Sequence, residues 1–182
     1  MIFRTVEDAD LIARARKGDV EAFNHLVSRW EKRVYNYLLR LTSRSEDSMD
    51  LAQDVFLKAW QNIRKLDDAT RFGPWLFRIA HNEAYSMFRK RRPDTDIGDP
   101  EFADRAIAPG ASPDVTIAVE AALGRLSSEQ REAVVLKVYQ GFKFEEMAEI
   151  LGCPVSTIKS RVYSAMELMK AELAPATGRG MR

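Results

Sequence analysis

The segment Pro93–Asp114 holds four prolines, six acidic residues and one arginine, and no run of apolar residues at helical spacing. Proline lacks the backbone donor a helix needs and pushes its predecessor out of the α region, so no sustained helix is expected there. A connector of about twenty residues without structure of its own is unusual inside one compact core and natural between two domains. The chain therefore divides at this point. The expected fold is all-α: two small helical domains joined by a flexible acidic linker, with residues 1–93 as the first domain, 94–114 as the linker, 115–174 as the second domain and 175–182 as a frayed tail. A length of 182 residues suits one domain or two small ones equally.

Both flanks carry helical periodicity. Leu11, Ile12 and Ala15 precede a break at Gly18–Asp19, where Asp19 is placed to cap the next helix. Phe23, Leu26, Val27, Trp30, Val34, Tyr37, Leu38 and Leu41 then form a broad apolar stripe suited to a core. In "SEDSMDLAQDVFLKAWQNIRKL" the inward residues are Met49, Ala52, Phe56, Ala59 and Ile63, while Asp50, Gln53, Asp54 and Lys58 take polar directions. After Gly73–Pro74, "PWLFRIAHNEAYSMFRKRR" is predicted helical until Pro93, burying Trp75, Leu76, Ile79 and Ala80 and leaving Arg78, Asn82, Ser86, Arg89 and Lys90 accessible.

The net charge of +1 hides a strong separation. Arg64 to Arg92 contains eight basic residues against three acids, and the linker that follows reverses the balance. Such segregation concentrates field locally and points to a basic surface for nucleic acid. The single Cys153 excludes an internal disulfide framework and agrees with a reducing compartment. With no N-terminal signal pattern and no long apolar span, a cytoplasmic location without membrane insertion is expected.

Near the C-terminus, "EEMAEILGCPVSTIKSRVYSAM" describes two helices around a short turn. Gly152 can end the first, and Pro154 can enter the first turn of the second without losing a helical hydrogen bond. Val155, Ile158, Val162 and Ala165 face inward, which leaves Ser156, Thr157, Lys159, Ser160 and Arg161 on exposed directions. This is a helix-turn-helix. Its second helix can enter a major groove and offer hydroxyl and cationic groups to base edges and phosphates.

Taken together, these motifs resemble the extracytoplasmic-function group of sigma-70 family sigma factors, over about Leu11 to Leu173. "SMDLAQDVFLKAW" is similar to the family's core-polymerase-binding helix, "FGPWLFRIAHNEAYSMFRKRR" to its reader of the promoter −10 element, and "LSSEQREAVVLKVYQGFKFEEMAEILGCPVSTIKSRV" to its −35-reading region 4. The resemblance implies that residues 1–93 are region 2 and 115–174 region 4. It assigns Asp50, Gln53 and Asp54 to the clamp helices of the polymerase β′ subunit. It also assigns Arg78, Asn82, Ser86, Arg89, Lys90, Arg91 and Arg92 to −10 DNA, and Ser156, Thr157, Lys159, Ser160 and Arg161 to −35 DNA. The implied partners are core RNA polymerase, through the β′ clamp helices and the β flap, together with promoter DNA and an anti-sigma protein. Three departures from the family pattern stand out. Asp54 replaces a usual Glu, Lys143 stands where a capping Ser is common, and "YSAMELMK" lacks a dense Arg run.

No catalytic constellation is present, so an enzyme is not expected, nor any cofactor or metal. His25 and His81 read as surface or interfacial residues, and Cys153 as a small side chain fitted to the helix-turn-helix turn. Two other functions fit parts of the sequence: an autonomous helix-turn-helix regulator, and a sigma-like decoy for an anti-sigma protein. A mobile linker further implies a broad range of separations between the two units in the free chain.

Overall fold

The computed structural model describes residues 7–91 and 113–174. The first unit comprises α1 (Asp8–Ala15), α2 (Val20–Thr42), α3 (Ser45–Asn62), two single 3-10 turns (Ile63–Lys65 and Ala69–Arg71) and α4 (Phe72–Arg91). The second comprises α5 (Pro113–Gly124), α6 (Ser128–Val134) running into a π-helical turn (Val135–Tyr139), α7 (Phe144–Leu151) and α8 (Val155–Leu173). The fold is all-α with two helical units, as read from the sequence. The expected linker, apart from Pro113 and Asp114 at the start of α5, lies outside the described residues, as do Arg92 and the tail beyond Ala174.

Local chemistry sets the helix ends. Asp19 caps α2 by accepting the Ala22 N–H at 3.0 Å, and that bond, with help from Arg14, holds its carboxyl below the usual range. Ser43 adopts the left-handed region at φ 55° and turns the chain from α2 into α3, its N–H donating to the Leu39 carbonyl at 2.9 Å. Gly152 does the same between α7 and α8 at φ 64°. Pro154 stands one position before α8 as its N-cap residue rather than inside its first turn. At Lys143 the side chain is no cap, but the Glu146 carboxylate reaches back to accept the Lys143 N–H at 2.7 Å.

Fully buried Tyr37, Leu38, Val34 and Leu26 of α2 pack with Val55 and Ala59 of α3 and with Leu76 and Ala80 of α4. Trp75 and Ile79 are only half-buried, contrary to the sequence expectation, and Phe77 is buried instead. The reason is that α4 has a second covered side: α7 lies along it and belongs to the C-terminal unit. One contiguous buried cluster runs from Leu26, Tyr37 and Phe77 into Leu136, Phe142, Met147 and Ile150. The two units are therefore packed face to face rather than held apart, which departs from the separations expected for a loose tether. A smaller cluster of Leu123, Leu126, Val134 and Ala165 closes the far side of the second unit. Covered on both sides, the run Arg131–Leu136 is buried at six consecutive positions, as a helix enclosed all round must be.

The seam between the units is narrow at Gly73. A Cβ there would meet Trp30 Cη2 at 2.8 Å and Phe142 Cε1 at 3.5 Å. Trp30 has little room to give way, because its Nε1–H donates to Asp8 at 2.9 Å and Arg33 stacks on its ring at 4.6 Å. Gly73→Ala is expected to cost about 1–3 kcal/mol by overpacking, read as a lower urea midpoint at unchanged m-value. An equal or higher midpoint would show that the indole moves freely.

Candidate nucleic-acid interface

Three surfaces gather the residues singled out in the sequence. On α3, Asp50, Gln53 and Asp54 are all exposed, and their i, i+3, i+4 spacing sets them on one face. Beside them an apolar groove of about 800 Å³ runs between α2 and α3, lined by Phe23, Val27, Phe56 and Trp60. Met49 was expected inward, but it stands 54% exposed at the groove, with Leu57 at 56% and Val20 at 55%. Large apolar side chains clustered at a groove with a charged edge mark a protein-docking surface. Sequence reasoning found the acidic edge and missed the groove, whose two walls come from different helices.

On α4, Arg78, Asn82, Ser86 and Lys90 repeat every four residues and so form a stripe along the helix. Arg78 and Asn82 are exposed and line a cleft of about 410 Å³ together with Lys58, Asn62, Lys65 and Trp75. Arg78 and Trp75 also border a neighbouring cleft of about 210 Å³, whose wall is the loop Lys65–Asp68 with Arg71. That loop is stiffened by Asp68, which accepts both the backbone N–H and the hydroxyl of Thr70 at 2.9 and 2.7 Å. Lys58 is paired to Glu83 across the first cleft. At the end of α4, Arg89 and Lys90 are exposed. Arg91 is instead committed to a fork on Asp47 at 2.7 and 2.6 Å, which holds that carboxyl below its ordinary value. The basic run is thus less freely presented than the sequence implies, and Arg92 lies outside the described residues.

The opening of α8 presents Ser156, Lys159 and Ser160 to solvent, with Thr157 half-buried. Arg161 differs from the expectation of a presented cation. It is half-buried, with Nη2 2.9 Å from Glu129 and Nη1 3.6 Å from the Cys153 sulfur. It therefore braces the helix-turn-helix from within, and Cys153 fills the turn as expected.

The most buried polar cluster escaped the sequence reading. Glu132 of α6 is 2% exposed and accepts from Tyr37 and Tyr85 hydroxyls, the latter at 2.8 Å, with His81 Nδ1 also at 2.8 Å. Burial, and then the Glu132 charge, push both phenols well above their usual range. His81 is thus interfacial, one of the two settings expected for it. A lone acid heading the run "EAVVL" was the available signal. Among the described residues no His, Cys, Asp and Glu group could hold a metal, and no helix is long and apolar enough to cross a membrane.

Comparison with known proteins follows the same division. Sigma-70 region 2 matches residues 26–93 and sigma-70 region 4 matches residues 116–169. The ECF RNA polymerase sigma-E factor of Haemophilus influenzae is 32% identical over 92% of this chain and 96% of its own length. Among solved structures, the sigma factor RpoE of Bartonella quintana, in complex with the anti-sigma factor NepR, superposes with a TM-score of 0.73 at 32% identity, over 85% of this chain and 98% of that one. CnrH, in complex with the cytosolic domain of CnrY, superposes with a TM-score of 0.69 at 28% identity, over 90% and 95%. With both region profiles in order and full-length similarity of this degree, the chain belongs to the extracytoplasmic-function group of the sigma-70 family, non-catalytic initiation factors that direct RNA polymerase to promoters.

Proposed function

We propose that residues 1–93 act as the unit that docks on core RNA polymerase and reads the −10 element, and residues 115–174 as the unit that reads the −35 element. Asp50, Gln53 and Asp54 meet basic groups of the polymerase β′ clamp helices, while the apolar groove beside them receives side chains of the same partner. Arg78, Asn82, Ser86, Arg89 and Lys90 line the path of the melted strand. Asn82 offers both a donor and an acceptor to a base edge, and the half-buried Trp75 in the same cleft supplies a stacking surface. Arg91 orders the end of α4 through Asp47 and reaches phosphate secondarily; Arg92 continues the basic run. In the second unit Ser156, Thr157, Lys159 and Ser160 face the major groove, and Arg161 fixes their presentation. The β flap is the polymerase partner of the second unit.

One observation carries the reading. A single chain presents both an exposed stripe of Arg78, Asn82 and Lys90 beside an aromatic-lined cleft and an exposed helix-turn-helix opening. An autonomous regulator has no use for the former. The two solved relatives named above were captured with NepR and with CnrY, which supports an anti-sigma protein as a further partner.

The test is reconstituted transcription with purified core polymerase on a genomic fragment library. Specific start sites that depend on the chain are the expected result. Tight DNA binding by the free chain with no such starts would replace this reading with that of a regulator.

A further inference from the structure

Asp47 stands where the docking and DNA-facing surfaces of the first unit meet. It lies in the first turn of α3, three and seven residues before Asp50 and Asp54, a spacing that sets all three carboxylates on one face. Unlike those two it is mostly covered, its side chain 12% exposed, because Arg91 from the last turn of α4 closes over it. Both Nη atoms of Arg91 donate, one bond to each carboxylate oxygen. Arg44 stands beside the pair, with Nε 3.5 Å from Asp47 Oδ2.

Of the three cations in the last turn of α4, Arg89 and Lys90 are exposed and Arg91 is neutralised in this way. A guanidinium whose fork is closed on a carboxylate cannot offer the same fork to a phosphate, since the two anions compete for one geometry. The pair is nevertheless exchangeable. Arg91 remains 47% exposed, and a pair open to water on one side is replaced at small cost.

We propose that Asp47 is a positioning residue: it holds Arg91 off nucleic acid in the free chain and releases it to promoter phosphate when basic groups of the polymerase reach the α3 edge. The proposal rests on the docking and −10 assignments made above. The exchange conserves pairing, because Asp47 passes from Arg91 to a polymerase cation while Arg91 passes from Asp47 to a phosphate. Arg44 keeps the carboxylate partnered as Arg91 leaves. Docking and phosphate contact are thereby linked through one side chain.

The number of phosphates neutralised is read from the salt dependence of DNA affinity, whose slope changes by about 0.7 per contact on single strands and about 0.9 on duplex. For the free full-length chain on a fluorescent single-stranded oligonucleotide of mixed sequence, Asp47→Asn should steepen the slope by about 0.7. Its affinity advantage over the parent should shrink roughly threefold between about 50 and 200 mM salt. Adding Arg91→Ala to the Asp47→Asn chain should remove that gain. A purely structural fork predicts the opposite sign, because loosening the end of α4 disperses Arg89 and Lys90 and weakens binding.

In complex with core polymerase, on a fragment that supports chain-dependent starts, the slopes of the parent and of Asp47→Asn should coincide. Arg91→Ala should flatten the slope in that complex by about 0.7–0.9 and do so there alone, not in the free chain. Equal free-chain slopes for the parent and Asp47→Asn, at unchanged helical content, would overturn the proposal. If Asp47→Asn loses helical content, the Arg91→Ala contrast decides by itself: equal flattening in the free chain and in the complex overturns the guard. Equal slopes with chain-dependent starts intact would remove only the guard, whereas absence of such starts would sink the docking and −10 assignments themselves.

Discussion

Asp54→Lys is expected to weaken association with core RNA polymerase by about 2–5 kcal/mol, the range for disrupting a desolvated charge pair at an interface. Asp54 is exposed in the free chain, so reversal of its charge removes no internal contact of the fold. The variant should accordingly keep its unfolding free energy within about 0.5 kcal/mol of the parent. The two measurements separate docking from folding. On the proposed docking surface, by contrast, the new ammonium would face the basic groups assigned there to Asp50 and Asp54, a repulsion that contact with the groove cannot relieve. Competition against the parent chain for a limiting amount of core enzyme reads the loss directly, and it should be equal at every promoter. Parity in that competition would move the docking surface away from this edge of α3.

Phe77→Ala is expected to cost about 3–5 kcal/mol of folding stability, the upper range for aromatic truncation in a core. The ring is fully buried and packs on Tyr37 at 5.1 Å and on Phe142 at 4.9 Å. Its removal therefore opens a cavity bounded by α2, α4 and the segment before α7. No neighbour can collapse into it cheaply, since Tyr37 is fixed by Glu132 and Arg33 by Gln140. Urea unfolding followed by both tryptophan fluorescence and circular dichroism tests this. A loss near 1 kcal/mol would mean that the seam is loosely packed. By comparison, a truncation confined to the smaller cluster, such as Leu126→Ala, should leave the seam intact.

What was legible in the sequence was local. Asp19, Gly152 and Pro154 mark helix ends because their backbone preferences act within one turn. The acidic and hydroxyl faces of α3 and α8 follow from a period of 3.6 residues and need no partner. The misreadings at Trp75 and Ile79, and the omission of Phe77, share a cause. An apolar stripe gives one inward direction, whereas α4 is covered from two sides by elements far apart in the chain. The partners of Glu132 were hidden for the same reason, since its three donors come from α2 and α4, 95, 51 and 47 residues away. Arg91 and Arg161 look like free cations in the sequence, and only tertiary structure reveals the Asp47 and Glu129 carboxylates that hold them. The groove behind Met49 likewise exists only once α2 and α3 are set side by side.

The shared core also dictates an order of events on the ribosome. When α4 emerges, the side of Phe77 that later meets Phe142 has nothing to cover it, because every residue that does so is still to be synthesised. At about 5–20 residues per second, the roughly eighty residues up to the end of α8 take on the order of 4–16 s to add. Throughout that interval the nascent chain displays an aromatic face on an otherwise folded four-helix scaffold. Translation speed between α4 and α8 thus sets how long the aggregation-prone face stays bare.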